Sequence, residues 1–199
     1  MKPLTVVVGP VHSEKTTHAL LVARQYEAIE KQVALFRPAR SVRAFEGSDP
    51  YVIKAKNGLS FQVTANLSAP HEIRDLMLAT FGGEDDFFEP PALVWIDEPA
   101  LFEDQAGLVR AVAEIRAEVP VLVSGLSMTS EGRVFGTAMP QLLALADEIV
   151  SCRAACERCG RVGIATRSEY RGPRGAKSGD VLVGGTDVYA AVCAECWRG

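Results

Sequence analysis

Three groups of residues have types and spacings that can do chemistry. The first follows a β-branched run, Leu4-Thr5-Val6-Val7-Val8, which empties into Gly9-Pro10-Val11-His12-Ser13-Glu14-Lys15-Thr16-Thr17. In the pattern G-x-x-x-x-G-K-[ST], backbone N–H groups wrap a polyphosphate, the Lys reaches its outer oxygens and the hydroxyl ligates Mg²⁺. Gly9, Lys15 and Thr16 hold those places, Ser13 and Thr17 stand beside them, and Glu14 replaces the second Gly. That Gly normally lets the backbone approach phosphate with no Cβ in the way. A carboxylate at ~5 Å, with an effective dielectric of ~20, opposes each unit of phosphate charge by about 3 kcal/mol, or about a hundredfold in affinity. A side chain turned outward onto a neighbouring cation escapes that cost. His12 is the neighbour at hand, its alternative being an ordinary surface histidine.

The second group is Asp97-Glu98, directly after the apolar run Ala92-Leu93-Val94-Trp95-Ile96. An apolar strand ending in Asp, downstream of a phosphate loop, brings a carboxylate beside the Mg²⁺ that the loop Thr holds. Glu98 then stands where a general base belongs. The third group is cysteine. All five lie after residue 150, and four form two C-x-x-C pairs, Cys156/Cys159 and Cys193/Cys196. That spacing lets two thiolates from one tight turn share a metal, and a structural Zn²⁺ is expected rather than disulfides. Cys152 is left over and reads as a small buried strand residue.

The intervening pattern supplies elements to position these groups. Ala19, Val22, Ala23, Tyr26 and Ile29 recur at helical spacing over about 16–31. A strand follows at Val33-Ala34-Leu35-Phe36, ended by Arg37-Pro38. Residues 39–69 read as short strands and loops, 70–81 as a helix and 82–91 as a surface loop. Further helices are expected over 103–118 and 141–147, with strands at 119–123 and 148–152. Strands near Val6, Leu35, Val94, Val121 and Ile149 alternating with helices predict an α/β fold with a parallel core sheet. Beyond residue 150, β-like stretches are expected near 164–166 and 181–183, with a turn at Gly184-Gly185-Thr186-Asp187. The organisation is thus 1–150 as a P-loop ATP-binding domain and 151–199 as a small zinc-bound β domain.

With 199 residues, nearly half of them apolar, the chain can bury one core plus an accessory module. A net charge of −4 with interspersed signs gives no reason to expect nucleic-acid or anionic-membrane partners. No apolar run reaches the ~20 residues of a membrane span, and a cytoplasmic protein is the expectation.

The order of features resembles the type II thymidine kinase family over essentially the whole chain. The most specific part is Gly184-Gly185-Thr186-Asp187-Val188-Tyr189-Ala190-Ala191-Val192-Cys193-Ala194-Glu195-Cys196, similar to that family's G-G-x-x-x-Y-x-x-x-C-x-x-C. The resemblance implies a RecA-like ATP-binding domain joined to a zinc-held domain whose lasso loop covers a nucleoside base. It implies transfer of the γ-phosphate of ATP to a 5′-hydroxyl, and a homotetramer. It makes Lys15 a phosphate contact, Thr16 and Asp97 the Mg²⁺ side, and Glu98 the base. Arg43, Gly125, Phe135, Gly184 and Tyr189 fall on the nucleoside side, and Cys156, Cys159, Cys193 and Cys196 match the zinc ligands.

Departures cluster on the substrate side. The family's G-P-M-x-S-G-K reads Gly9-Pro10-Val11-His12-Ser13-Glu14-Lys15. Its D-E-[AG]-Q-F reads Asp97-Glu98-Pro99-Ala100-Leu101, and its S-H-x-G reads Ala55-Lys56-Asn57-Gly58. Its G-L-D-x-D-F-R-G-x-P-F reads Gly125-Leu126-Ser127-Met128-Thr129-Ser130-Glu131-Gly132-Arg133-Val134-Phe135. Three functions follow: an active nucleoside kinase, a non-catalytic nucleoside-binding relative with a degraded P-loop, or a zinc-stabilised structural subunit.

Overall fold

The computed structural model describes residues 1–41, 49–55, 57–82, 89–172 and 188–198. Its centre is a six-stranded parallel sheet of β1 (Leu4–Val8), β2 (Val33–Pro38), β5 (Ala65–Leu67), β6 (Leu93–Asp97), β7 (Val121–Gly125) and β8 (Glu148–Ser151). The spatial order is β5-β2-β6-β7-β1-β8. β6 and β7 are buried along their whole length, as expected for central parallel strands covered on both faces.

Alternation along the strands feeds two separate cores. Val94 and Ile96 of β6 point to one face, with Val6 and Val121 and the buried stripes of α2 (Glu72–Phe81), α3 (Gln105–Ile115) and α4 (Ala138–Leu145). Leu93 and Trp95 point to the other, with Ala19, Leu20 and Ala23 of α1 (Lys15–Glu27) and with Ile53 and Phe61. The last two belong to an antiparallel pair, β3 (Val52–Lys54) and β4 (Ser60–Gln62), that extends the α1 layer. Phe61 meets the Trp95 ring edge-to-face at 6.2 Å. α3 starts on Asp104, whose carboxylate accepts from the Gly107 N–H at 2.7 Å, the usual use of Asp at a helix N-cap.

Several expected boundaries shift for local reasons. α4 begins at Ala138 rather than at 141, because Pro140 lies in its first turn, where a missing N–H breaks no helical bond. Among the short strands expected over 39–69, β5, Ala65-Asn66-Leu67, joins the sheet as an edge strand paired with β2 and sends Leu67 into the core. Instead of a strand at 164–166, the structure has β9 (Arg167–Tyr170), paired antiparallel with β10 (Tyr189–Val192). β9 is polar in sequence, so only its partner reveals it. The β-like stretch at 181–183 and the turn at 184–187 lie outside the described residues. β9 and β10 share a small core of Ala154, Cys156, Ala165, Ala190, Ala191, Val192 and Cys193, and Val11 and Trp197 pack against it.

All strands of the main sheet run the same way, so the segments after β1, β6 and β7 emerge at one end. Val8 pairs with Gly125 on one side and Ser151 on the other, while Asp97 pairs with Ser124. Ligands of open parallel sheets gather at such carboxyl ends.

Candidate active site

Gly9 ends β1 where no side chain fits. A Cβ there would stand 2.4 Å from the Cys152 carbonyl oxygen and 2.5 Å from Ser13 Oγ. The loop then closes on itself: Ser13 Oγ donates to the Pro10 carbonyl at 2.8 Å and Lys15 Nζ to the same oxygen at 2.6 Å. Glu14 adopts the left-handed conformation, φ 60 and ψ 27, that a glycine adopts without strain. The backbone of the loop is therefore kept although its glycine is not. The Glu14 carboxylate is exposed and accepts from the Thr17 hydroxyl. Neither sequence reading of His12 holds: it is not the partner of Glu14, and it is not the ordinary surface histidine that its loop position favoured. Its Nδ1 lies 2.9 Å from Glu157 Oε1, in the turn between Cys156 and Cys159. Thr16 sits half-buried in the first turn of α1.

Asp97, at the end of β6, is almost fully buried. Ser124 Oγ donates to its Oδ1, and Trp95 Nε1 donates to Ser124 Oγ at 2.7 Å, so an indole and a hydroxyl in series fix the carboxylate. Burial pushes the Asp97 carboxyl up, against the opposing pull of Ser124, Lys15 and Arg37. Burial also lowers Lys15, against Asp97, Glu98, Cys152 and Glu14. Arg37 is lowered by the same cause, and it is held by Asn66 Oδ1 at 2.6 Å and by the Pro50 carbonyl. Two cations and two carboxylates thus converge on one desolvated region. Glu98 follows in the left-handed region, φ 51, with its N–H donating to the Ser124 carbonyl at 2.8 Å. Among the described residues, four non-glycines have positive φ, and three of them, His12, Glu14 and Glu98, stand in these two loops. Such backbone strain concentrates at functional sites.

The sulfurs of Cys156, Cys159, Cys193 and Cys196 all lie within 4.8 Å of one another. A tetrahedral Zn²⁺ with Zn–S near 2.3 Å places its sulfurs about 3.8 Å apart, so these four fit that ion. Donors surround the thiol cluster. The Cys193 N–H reaches Cys156 Sγ at 3.3 Å and draws that thiol down to about 6. Arg161 Nε donates to Cys159 Sγ at 3.4 Å and lowers it as well. Cys196, hydrogen-bonded to Cys193, is pushed up to about 12, a preference that a bound metal reverses by holding the thiolate. Cys152 stands apart, half-buried just after β8, and burial raises its thiol.

The other expected site residues are placed less closely. Gly125 lies under the Glu98 turn, where a Cβ would come within 2.8 Å of Pro99 Cδ. Phe135 is half-buried, its N–H donating to the Ser127 carbonyl at 3.0 Å within the loop after β7. Tyr189 opens β10 and meets the Tyr170 ring edge-to-face at 5.5 Å. Arg43 and Gly184 lie outside the described residues. Sequence reasoning missed Trp95, Ser124 and Glu157. Only Glu157 left a trace in the sequence, as a carboxylate inside a C-x-x-C turn.

These features define a class: a parallel α/β protein with a phosphate-loop-like turn at one strand exit, paired carboxylates at another, and a Cys₄ cluster that could hold a metal. The particular family follows from comparison with known proteins. A model of the family described as "Thymidine kinase" matches residues 2–197. A thymidine kinase of Pseudothermotoga lettingae is 27% identical over 98% of this chain and 94% of its own length. Those of Pyrobaculum aerophilum and Coprothermobacter proteolyticus are 29% and 30% identical, each over 96% of this chain and over 95% and 87% of their own lengths. The chain belongs to the thymidine kinase family.

Proposed function

We propose that the chain is an ATP-dependent nucleoside kinase that transfers the γ-phosphate of ATP to the 5′-hydroxyl of a deoxynucleoside. One observation carries this reading: the buried Asp97, held by a hydrogen bond from Ser124 Oγ, and its neighbour Glu98 share a common end of the sheet with Lys15 and interact with it electrostatically. In this reading the N–H groups of residues 12–15 cradle the phosphates, the Val11 N–H being held by Ser168, and Lys15 leaves the Pro10 carbonyl for their outer oxygens. Thr16 and Asp97 would hold Mg²⁺, which neutralises developing phosphate charge. The 5′-oxygen attacks the γ-phosphorus, its proton passes to the Glu98 carboxylate, and the bond to the departing ADP breaks. Glu14 does not block this, since its carboxylate is engaged with Thr17.

Residues 151–199 then form the zinc-held domain, and Arg43, Gly125, Phe135, Gly184 and Tyr189 serve the nucleoside side. Homotetramer formation and a cytoplasmic location complete the proposal; among the described residues no helix is long and apolar enough to cross a membrane.

A second reading, a relative that binds nucleoside without turnover, draws on the bulk and charge of Glu14 and on the altered 125–135 loop. One experiment separates the two. Incubation with γ-labelled ATP, Mg²⁺ and a nucleoside panel is expected to yield a labelled nucleoside 5′-monophosphate. No labelled product with any nucleoside, together with thermal stabilisation by nucleoside alone, would select the second reading.

A further inference from the structure

The phosphate loop is bonded to the Cys-rich module at two successive residues. The Val11 N–H donates to the buried Ser168 Oγ of β9 at 3.0 Å, and the Val11 side chain packs on the module's core. His12 Nδ1 meets Glu157 Oε1 at 2.9 Å. Glu157 sits between Cys156 and Cys159 and is itself fixed from the second knuckle's side. Its Oε1 accepts from the Ala191 N–H at 2.8 Å, its own N–H donates to the Ala191 carbonyl at 2.9 Å, and its Oε2 accepts from Arg171 at 3.0 Å. His12 Nε2 is buried and has no hydrogen-bond partner among the described residues, so the ring's bonding proton belongs on Nδ1, directed at Glu157. His12 also stands at φ 61, a conformation that persists only when the surroundings impose it.

We infer that His12 and Glu157 form a strut by which the Cys₄ module fixes the conformation of the phosphate loop, so that metal retention and phosphate binding are coupled. Glu157 is a positioning residue that acts through His12. The strut itself depends only on the fold, whereas its effect on nucleotide rests on the kinase reading above. Because a coupling free energy is reciprocal, whatever the metal contributes to ATP binding, ATP must return to metal retention.

The test uses the zinc-loaded protein and the variants His12→Ala, His12→Asn, Glu157→Ala and the double alanine variant. Amide hydrogen exchange at residues 11–15, measured without nucleotide, is expected to quicken about tenfold in each single alanine variant, a size typical of lost support around a site. In the double variant it should quicken by no more than about twofold beyond either single, since partners in one contact are not additive. His12→Asn, which keeps a donor and tolerates the left-handed backbone, is expected to restore most of the protection. Unchanged exchange in His12→Ala, or additive effects in the double variant, would overturn the strut.

The equilibrium partition of zinc between the protein and a chromophoric chelator supplies the second readout. ATP·Mg²⁺ should raise the apparent zinc affinity about tenfold in the parent protein and not in His12→Ala. A rise of equal size in His12→Ala would overturn the coupling. If the parent protein binds no ATP by calorimetry, the kinase reading and the coupling fall together, while the exchange experiment still decides the strut.

Discussion

Two strand exits place a glutamate in the left-handed region, and the surroundings give the two opposite meanings. After β1, Glu14 has φ 60 and an exposed carboxylate that turns along α1 to the Thr17 hydroxyl. After β6, Glu98 has φ 51, is half-buried, and follows a carboxylate clamped by Ser124 and Trp95. The residue type and backbone conformation are the same, and both charges act on Lys15, yet one side chain is exposed and bonded to Thr17 while the other is half-buried. Depth decides this. The helix start offers Glu14 a hydroxyl at the surface, whereas the Glu98 turn is held down by its N–H bond to Ser124 and by Pro99 packed over Gly125.

The largest expected effect comes from making the same isosteric change at both exits. Glu98→Gln should lower kcat by about 10²–10⁴, the usual range for removing a general base. Glu14→Gln should leave kcat within about threefold, because its carboxylate is already spent on a surface hydroxyl bond. Steady-state kinetics of the two variants check this, and a reversal of their order would dissolve the comparison.

An intermediate effect is expected at Asp97. Asp97→Asn should cost at least about a hundredfold in turnover, as removal of a preorganised electrostatic group does, while raising the thermal midpoint of the ligand-free protein. Burial holds the folded Asp97 carboxyl above its unfolded value. Its favourable contribution to stability is therefore full while the group is protonated, at pH below the unfolded value. That contribution is lost as the pH rises through the raised folded value. Thermal melts across this window should show the variant gaining on the parent as pH rises, with each kcal/mol worth roughly 2–4 °C in a chain of this size. A constant gap between the two curves would mean that Asp97 is not destabilised by ionisation.

The smallest effect sharpens the account of Glu14. Glu14→Gly removes both charge and backbone strain, and the strain alone is worth about 1 kcal/mol. Glu14→Ala removes the charge and keeps the strain. With the carboxylate turned to Thr17, both variants should bind ATP within about tenfold of the parent, well short of the hundredfold expected from direct repulsion. Only the Gly variant should gain stability. Isothermal titration and chemical denaturation together read the two terms, and a hundredfold gain in affinity in both variants would place the carboxylate back among the phosphates.

Much of the fold was legible because its signals are local. β1, β6 and β7 are apolar runs of strand length, α1 and α3 carry helical periodicity, and the C-x-x-C turns announce their ligands by spacing alone. The misses share a physical cause. β9 is short and polar, and it is a strand only because a partner's backbone lies alongside. The Trp95–Ser124–Asp97 chain crosses from β6 to β7, and the cross-strand register that builds it is not written in either strand. His12 invited a local partner, Glu14, and found a distant one, Glu157, separated by 145 positions.

The sequence by itself therefore determined the chemistry available: a lysine and hydroxyls after β1, carboxylates after β6 and four thiols in two turns. Each of these follows from spacing along a few residues. Tertiary structure alone decided how that chemistry is arranged: which strands lie side by side, that Asp97 is buried under Ser124, that Glu14 faces outward and that the loop after β1 is bonded to the Cys-rich module through Val11 and His12. Those outcomes depend on sheet order and on side-chain rotamers chosen among neighbours more than a hundred residues away, and no local pattern carries that information.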